Sequence, residues 1–165
     1  MSDSVMEVRI ATTSELARVG ELTVLGYAHD GFVTAADGYA RTLADATTRA
    51  SLAEVYVAVH DTSLVGTVTF CPPESPLCEL SSDGEGEFRM LAVDPAARGL
   101  GAARALVNRC FERSAELSLD QIVLCSMPTM VKAHGLYSSF GFVRDPDLDW
   151  EPEPGLTLWA FRASV

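Results

Sequence analysis

The chain has 165 residues, 48% of them hydrophobic, and 12 Lys+Arg against 23 Asp+Glu give a net charge of −11. That size suits one domain, 1–165, with a sizeable core, and the acidic balance argues against nucleic acid or an anionic membrane as the main partner. No apolar run approaches the roughly 20 residues that span a bilayer, and Met1-Ser2-Asp3-Ser4 lacks the basic region and apolar core of a signal peptide, so a cytoplasmic protein is expected.

Val5 to Ile10 alternates apolar and polar residues and reads as a first strand. Thr12-Thr13-Ser14-Glu15 has the form of a capping box, and the helix behind it carries Leu16, Val19 and Leu22 and is expected to stop before Gly26. Tyr27 to Phe32 reads as a loop, and a second, polar helix is expected from Thr34 to about Leu52. Glu54–Val59 and Ser63–Phe70 form a hairpin around His60-Asp61-Thr62. Pro72 to Gly86, rich in Pro, Ser and acids, is a loop, and a fourth strand starts at Glu87. A helix running to about Leu117 turns Leu106, Cys110 and Phe111 inward, with Arg104, Asn108, Glu112 and Glu116 on its wet face. Gln121–Cys125 is a fifth strand, Pro128–Phe140 holds a short helix stopped by Gly141, and Phe142-Val143 and Leu156–Phe161 are the last strands. The order of elements predicts an α/β domain with a mixed sheet. Its final strand, if left at an edge, would offer a surface for a homodimer.

The most informative stretch is Arg98-Gly99-Leu100-Gly101-Ala102-Ala103, between the strand Glu87–Val93 with its stop Asp94-Pro95 and the following helix. Glycines allow φ > 0 and close approach, and a helix start directs N–H groups and a positive dipole end at an anion. A Walker loop would need a lysine that is absent here. A dinucleotide fingerprint counted from Gly99 would end on Arg104, too bulky for close helix–strand packing. The form Arg/Gln-x-x-Gly-x-Gly/Ala fits Arg98-x-x-Gly101-x-Ala103. With Leu136-Tyr137-Ser138-Ser139-Phe140-Gly141-Phe142 downstream, the chain resembles the GNAT-type N-acetyltransferases from about Glu87 to Phe142, and only in topology before that.

The resemblance implies a mixed, mostly antiparallel sheet of six or seven strands flanked by about four helices and splayed between the fourth and fifth strands, with the pantetheine arm of acetyl-CoA in the splay. It implies that main-chain groups of Arg98, Gly99, Leu100, Gly101, Ala102 and Ala103 hold the pyrophosphate. Leu91, Ala92 and Val93 would hold the pantetheine arm, one N–H polarising the acetyl carbonyl. Tyr137 matches the tyrosine that protonates the departing thiolate and so also touches the cofactor, the alternative being a core tyrosine against Phe140 and Phe142. Glu87 resembles the glutamate that some members use as general base, directly or through water; its alternative is a pair with Arg89 on the same strand face.

Other sites carry less. Cys125, twelve residues before Tyr137 where some members place a base, is poorly suited, and Met130 stands where many members have an asparagine on the pantetheine. His29 and Asp30 lie in the first inter-helix loop that borders the acceptor pocket in the family, His60 reads as a surface residue, and His134 falls one helical turn before Tyr137. The scattered cysteines Cys71, Cys78, Cys110 and Cys125 read as reduced, mostly buried thiols, and with no Cys-x-x-Cys or His-x-x-x-His pair no metal site is expected. Acids cluster at Glu74, Glu79, Asp83 and Glu85 and again at Asp145, Asp147, Asp149, Glu151 and Glu153, which suggests a cationic amine acceptor or simply solvated loops. The reading that follows is an acetyl-CoA-dependent N-acetyltransferase acting on a small-molecule or peptide amine by direct attack. Its alternatives are a non-catalytic acyl-CoA-binding module, or an acyltransferase using another acyl chain, with Arg89 or Lys132 as the extra cation, or a hydroxyl acceptor.

Overall fold

A computed structural model describes residues 4–165, so Met1-Ser2-Asp3 of the N-terminal segment read above lie outside the described residues. The elements run β1 (Met6–Ile10), α1 (Leu16–His29), α2 (Gly38–Ala44), α3 (Ala46–Leu52), β2 (Glu54–His60), β3 (Ser63–Cys71), β4 (Glu85–Val93) and α4 (Ala102–Glu116). They continue with β5 (Gln121–Ser126), α5 (Val131–Ser139), β6 (Val143–Arg144), β7 (Trp150–Glu153) and β8 (Leu156–Ser164). The strands hydrogen-bond in the order β1-β2-β3-β4-β5-β8-β6, with β7 also pairing β8. The pairs β1–β2, β2–β3, β5–β8, β6–β8 and β7–β8 are antiparallel, and β4–β5 is parallel.

Contacts group the chain into two units, Met1–Phe70 with Met90–Cys110, and Cys71–Arg89 with Phe111–Val165. In the first, Leu16, Val19 and Ala46 from the helices bury against Val55, Val57 and Val59 of β2. A second cluster joins Val33, Ala40, Leu43 and Met90. Ahead of α1, Glu15 reaches back to the Thr12 N–H at 2.8 Å, as the capping box requires, and also takes a two-pronged contact from Arg9.

Helix α1 runs past Gly26, where a stop was expected, and takes in Tyr27-Ala28-His29. Gly26 is a packing position instead: a Cβ there would stand 3.2 Å from Ala92 Cβ and 3.4 Å from Val93 O. The expected single helix from Thr34 to Leu52 is two, broken at Asp45, whose carboxylate accepts the Thr48 N–H and so starts α3. Arg49, only 4% exposed, donates to the carbonyls of Thr42 and Leu43 and satisfies the end of α2.

The second unit has an aromatic core. Phe88 meets Tyr137 and Phe142 edge-on at 5.8 and 5.9 Å, and Tyr137 also meets Phe142 at 5.8 Å and Phe161 at 6.2 Å. Two expectations are corrected here. Trp150–Glu153, read as acidic loop, is the strand β7, paired to β8 across the left-handed Gly155 (φ 85). The last strand is no edge either: β8 has β5 on one side and β6 and β7 on the other, which removes it as a dimer surface.

The β4–β5 ladder pairs only Glu85–Glu87 with Gln121–Val123. Both strands then continue without pairing to each other, β4 to Val93 and β5 to Ser126, so the expected parting of the fourth and fifth strands begins just beyond Glu87 and Val123.

Candidate active site

The glycine-rich turn lies in the first unit. After β4, Asp94 accepts the Ala96 N–H at 2.9 Å and the Arg18 guanidinium at 2.9 Å, while its own N–H donates to Val65 O. This fixes the single turn Pro95–Ala97 that delivers the chain to Arg98. Arg98 forks onto the two oxygens of Asp30 at 2.8 and 2.9 Å, and that hydrogen bonding raises its pKa further. Asp30, placed by the sequence in an acceptor loop, is thus a tether for the turn.

Gly99 and Gly101 have φ values of 86° and 88°. A Cβ at either would meet nothing within 4 Å, so glycine is required for its backbone conformation and not for space. The first ladder bond of α4 runs from Ala105 N to Gly101 O. A helix start preceded by two left-handed residues presents main-chain N–H groups to an anion. Open space above both glycines and a cation locked beside them fit a diphosphate. Along β4, Leu91 and Val93 are half-buried and Ala92 is buried.

Sequence reasoning missed the conformation of Met90. It has φ 55° inside β4 and is 6% exposed. A non-glycine residue in the left-handed region within a strand marks a bulge, which turns peptide groups out of the ladder, and such residues cluster at functional sites. Nothing in the letters signals it, since methionine is not a residue that prefers φ > 0.

In the second unit, Tyr137 on α5 is 6% exposed among Phe88, Phe142 and Phe161. Phe140, the other expected neighbour, stacks on Phe111 at 5.6 Å. His134, one turn earlier on α5, contacts Ser126 Oγ through Nε2 at 3.1 Å and lies against Trp159 and Phe161. Burial lowers its pKa, and Arg144 nearby acts in the same direction. Met130, in the asparagine position, accepts the Ser126 hydroxyl on its sulfur at 3.4 Å.

Glu87 is fully buried. Its carboxylate accepts the N–H groups of Glu79 at 2.9 Å, Leu80 at 2.7 Å and Ser81 at 2.9 Å. The expected pair with Arg89 is replaced: Arg89 donates to Leu77 O at 3.1 Å and pairs with Glu79 at 2.6 Å. The Glu79 carboxylate also meets Cys125 Sγ at 3.7 Å. Burial pushes the Cys125 thiol up to about 12, with Glu79 adding to the shift, so the sulfur stays protonated and donates.

Much of the acidic loop charge is engaged. Asp149 takes both prongs of Arg144 at 2.7 Å, and Arg162 pairs with Asp145 and Glu85. His29 closes α1 on the surface, His60 ends β2, and Lys132 is exposed on α5. All four cysteines are free thiols. Among the described residues no group of His, Cys, Asp and Glu is arranged to hold a metal ion, and no helix is long and apolar enough to cross a membrane.

Comparison with known proteins bears on the family and the fold. The profile of the acetyltransferase (GNAT) family matches residues 27–142. Rattus norvegicus N-acetylaspartate synthetase is 34% identical over 103 residues, which is 62% of this chain and 32% of that protein, so the chain spans about a third of the length of this relative. A GNAT-family acetyltransferase structure from Staphylococcus aureus superposes with a TM-score of 0.74 at 14% identity, covering 97% of this chain and 99% of the other. A Salmonella typhimurium structure holding its cofactor acetyl-CoA gives 0.66 at 21% identity, covering 98% and 94%. The chain has the mixed, mostly antiparallel fold of those structures and belongs to the GNAT acetyltransferase family.

Proposed function

We propose that residues 1–165 form one cytoplasmic N-acetyltransferase domain that moves the acetyl group of acetyl-CoA onto a primary amine by direct attack in a ternary complex. The observation that carries the reading is the turn ahead of α4, with left-handed Gly99 and Gly101 under open space and Arg98 tethered to Asp30. Main-chain N–H groups from Arg98 to Ala103 hold the diphosphate in this reading. Main-chain groups of Leu91, Ala92 and Val93 hold the pantetheine arm, one N–H drawing charge onto the thioester oxygen as the amine adds.

Tyr137 is the proposed acid. A phenol of pKa about 10 can donate to a departing thiolate whose acid has a pKa of about 8.5, because the proton passes while charge builds on sulfur. Glu87 contributes through the segment 79–81 that its carboxylate binds, since no part of it reaches solvent. Family membership supports acyl transfer, and the name of the relative N-acetylaspartate synthetase supports an amine acceptor. The acceptor is a small molecule or a peptide amine; exposed Asp147, Glu151 and Glu153 favour a cationic one.

Calorimetry with acetyl-CoA, followed by thiol release with L-aspartate, spermidine and an alanyl peptide as acceptors, tests the reading. Binding together with amine-dependent thiol release is expected. No heat at millimolar acetyl-CoA overturns it, and binding without thiol release from any amine points to the non-catalytic module instead.

A further inference from the structure

Direct attack needs a base that the incoming amine can reach, directly or through one water, and that can take a proton from an ammonium near neutral pH. Glu87 fails the first requirement, being 0% exposed with its oxygens occupied by three main-chain N–H groups. Cys125 fails the second, because its thiol holds its proton. A third group stands between them. The β4–β5 ladder ends at Glu87 and Val123, and Arg89 and Cys125 are the next residues on the same faces of the two strands. One carboxylate contacts both: Glu79 Oε1 lies 2.6 Å from Arg89 Nη2, and Oε2 lies 3.7 Å from Cys125 Sγ.

We propose that Glu79 is the general base of the acetyl transfer, held at the mouth of the β4–β5 fork by Arg89 and Cys125 and by the binding of its own N–H to Glu87. The inference rests on the acetyl-transfer reading above. Unlike Glu87, the Glu79 side chain keeps 23% of its surface exposed, enough for an amine or a relaying water to reach it. Arg89 occupies Oε1, and the weak S–H donor of Cys125 leaves lone pairs on Oε2 for a stronger donor. The groups facing the carboxylate are Arg89 and Glu87 from β4 and Cys125 from β5. Burial raises its pKa, Arg89 opposes that, and the Glu87 charge adds to it. A carboxylate raised in this way accepts protons closer to neutrality than an exposed one.

The step balances. The Glu79 carboxylate takes one proton from R–NH3+, and the freed nitrogen lone pair forms the N–C bond to the thioester carbon. The C–S bond breaks with its electron pair on sulfur, and the thiolate is protonated by the Tyr137 hydroxyl. The nitrogen's second proton leaves to water and one proton returns to Tyr137 and one leaves Glu79, so the sum is acetyl-CoA plus R–NH3+ giving the acetamide, free coenzyme and H+.

The test is kcat/KM against pH for wild type, Glu79→Gln and Glu79→Asp, using whichever of L-aspartate, spermidine or the alanyl peptide wild type acetylates fastest. Coenzyme affinity is measured by calorimetry and melting temperature serves as the folding control. Glu79→Gln is expected to lose about 100-fold or more in kcat/KM at pH 7, with acetyl-CoA affinity unchanged. Wild type should lose activity as pH falls through the raised carboxylate pKa. In Glu79→Gln that limb should be replaced by a rise of about tenfold per pH unit toward the pKa of the amine, because only free neutral amine then reacts. Glu79→Asp, which keeps a carboxylate one methylene shorter, should recover part of the loss and restore the carboxylate limb. A folded Glu79→Gln with near-wild-type kcat/KM and an unaltered limb overturns the inference while leaving acetyl transfer intact. Wild type that acetylates none of the three amines removes the functional reading itself.

Discussion

Replacing Glu87 by Gln separates a structural carboxylate from a chemical one. In the native protein Oε2 accepts the Glu79 N–H and Oε1 accepts those of Leu80 and Ser81, each at 2.7–2.9 Å. The best amide rotamer keeps its oxygen on Leu80 and Ser81 and turns an NH2 toward the Glu79 N–H, donor against donor. Two bonds then lose their ionic component, at about 0.5–1 kcal/mol each, and the third is lost outright at about 1.5–3 kcal/mol. The total is about 2.5–5 kcal/mol, and at about 3 °C per kcal/mol for a domain of this size the melting temperature should fall by roughly 10 °C. Thermal and urea denaturation of wild type and Glu87→Gln measure it, with Glu87→Asp, too short to reach the loop, expected to fall at least as far. The reasoning is refuted if Glu87→Gln melts within about a degree of wild type, and a coincident loss of turnover would then return Glu87 to direct chemistry.

Three further outcomes follow from other parts of the molecule. Gly20→Ala would set a Cβ 2.1 Å from Ala44 O, a backbone atom that cannot step aside, so a loss of about 3 kcal/mol or more is expected by denaturation. Gly135→Ala in α5 meets nothing within 4 Å and should instead gain about 0.5–1 kcal/mol. Gly101→Ala forces a side chain into φ 88°, at about 1–2 kcal/mol of backbone strain; relaxation of the turn should weaken acetyl-CoA binding about tenfold by calorimetry, and an unchanged affinity would place the diphosphate elsewhere. Hydrogen bonding from Arg9 holds Glu15 down to about 2, below its ordinary 4.5. A depressed folded-state pKa contributes stability that is complete above about 4.5 and fades as pH falls toward about 2. Glu15→Gln should therefore flatten the pH dependence of stability in that acid window, and an identical acid profile in the variant would show that the Arg9 contact does not persist in solution.

What the letters disclosed was whatever depends on neighbours in sequence. The turn at Arg98–Ala103, the capping box, the β2–β3 hairpin and the stop at Gly141 all follow from residues within a few positions of one another, and each stands in the structure. The failures have tertiary causes. Gly26 looks like a helix stop until Ala92 is seen pressing on it, and Asp45 breaks a helix from inside a polar run that shows no period. Trp150–Glu153 carries a proline and two acids, poor strand letters, yet pairs because Gly155 folds it onto β8. Glu87 was legible as a glutamate opening the fourth strand, but neither its burial nor its partners were, because those partners lie in a loop without periodicity. Glu79 was invisible as anything but one acid among several.

The net charge of −11 also reads differently once its partners are known. The chain has a single lysine, Lys132, and the rest of its 12 basic residues are arginines. Arg9, Arg98 and Arg144 each make a two-pronged contact with one carboxylate, those of Glu15, Asp30 and Asp149. Such forks fix the angle as well as the distance of the acid, which a lysine would not do. Arg18, Arg89 and Arg162 pair with Asp94, Glu79 and with Asp145 and Glu85. Several acids that looked like a field for attracting a cation, Glu85, Asp145 and Asp149 among them, are therefore committed to holding turns and loops. The excess charge left over sits on exposed residues such as Asp147, Glu151 and Glu153, where ordinary salt screens it within about 8 Å. Acceptor choice then falls mainly to shape and hydrogen bonding close to the reacting nitrogen, and overall acidity acts on the approach of the acceptor more than on its discrimination.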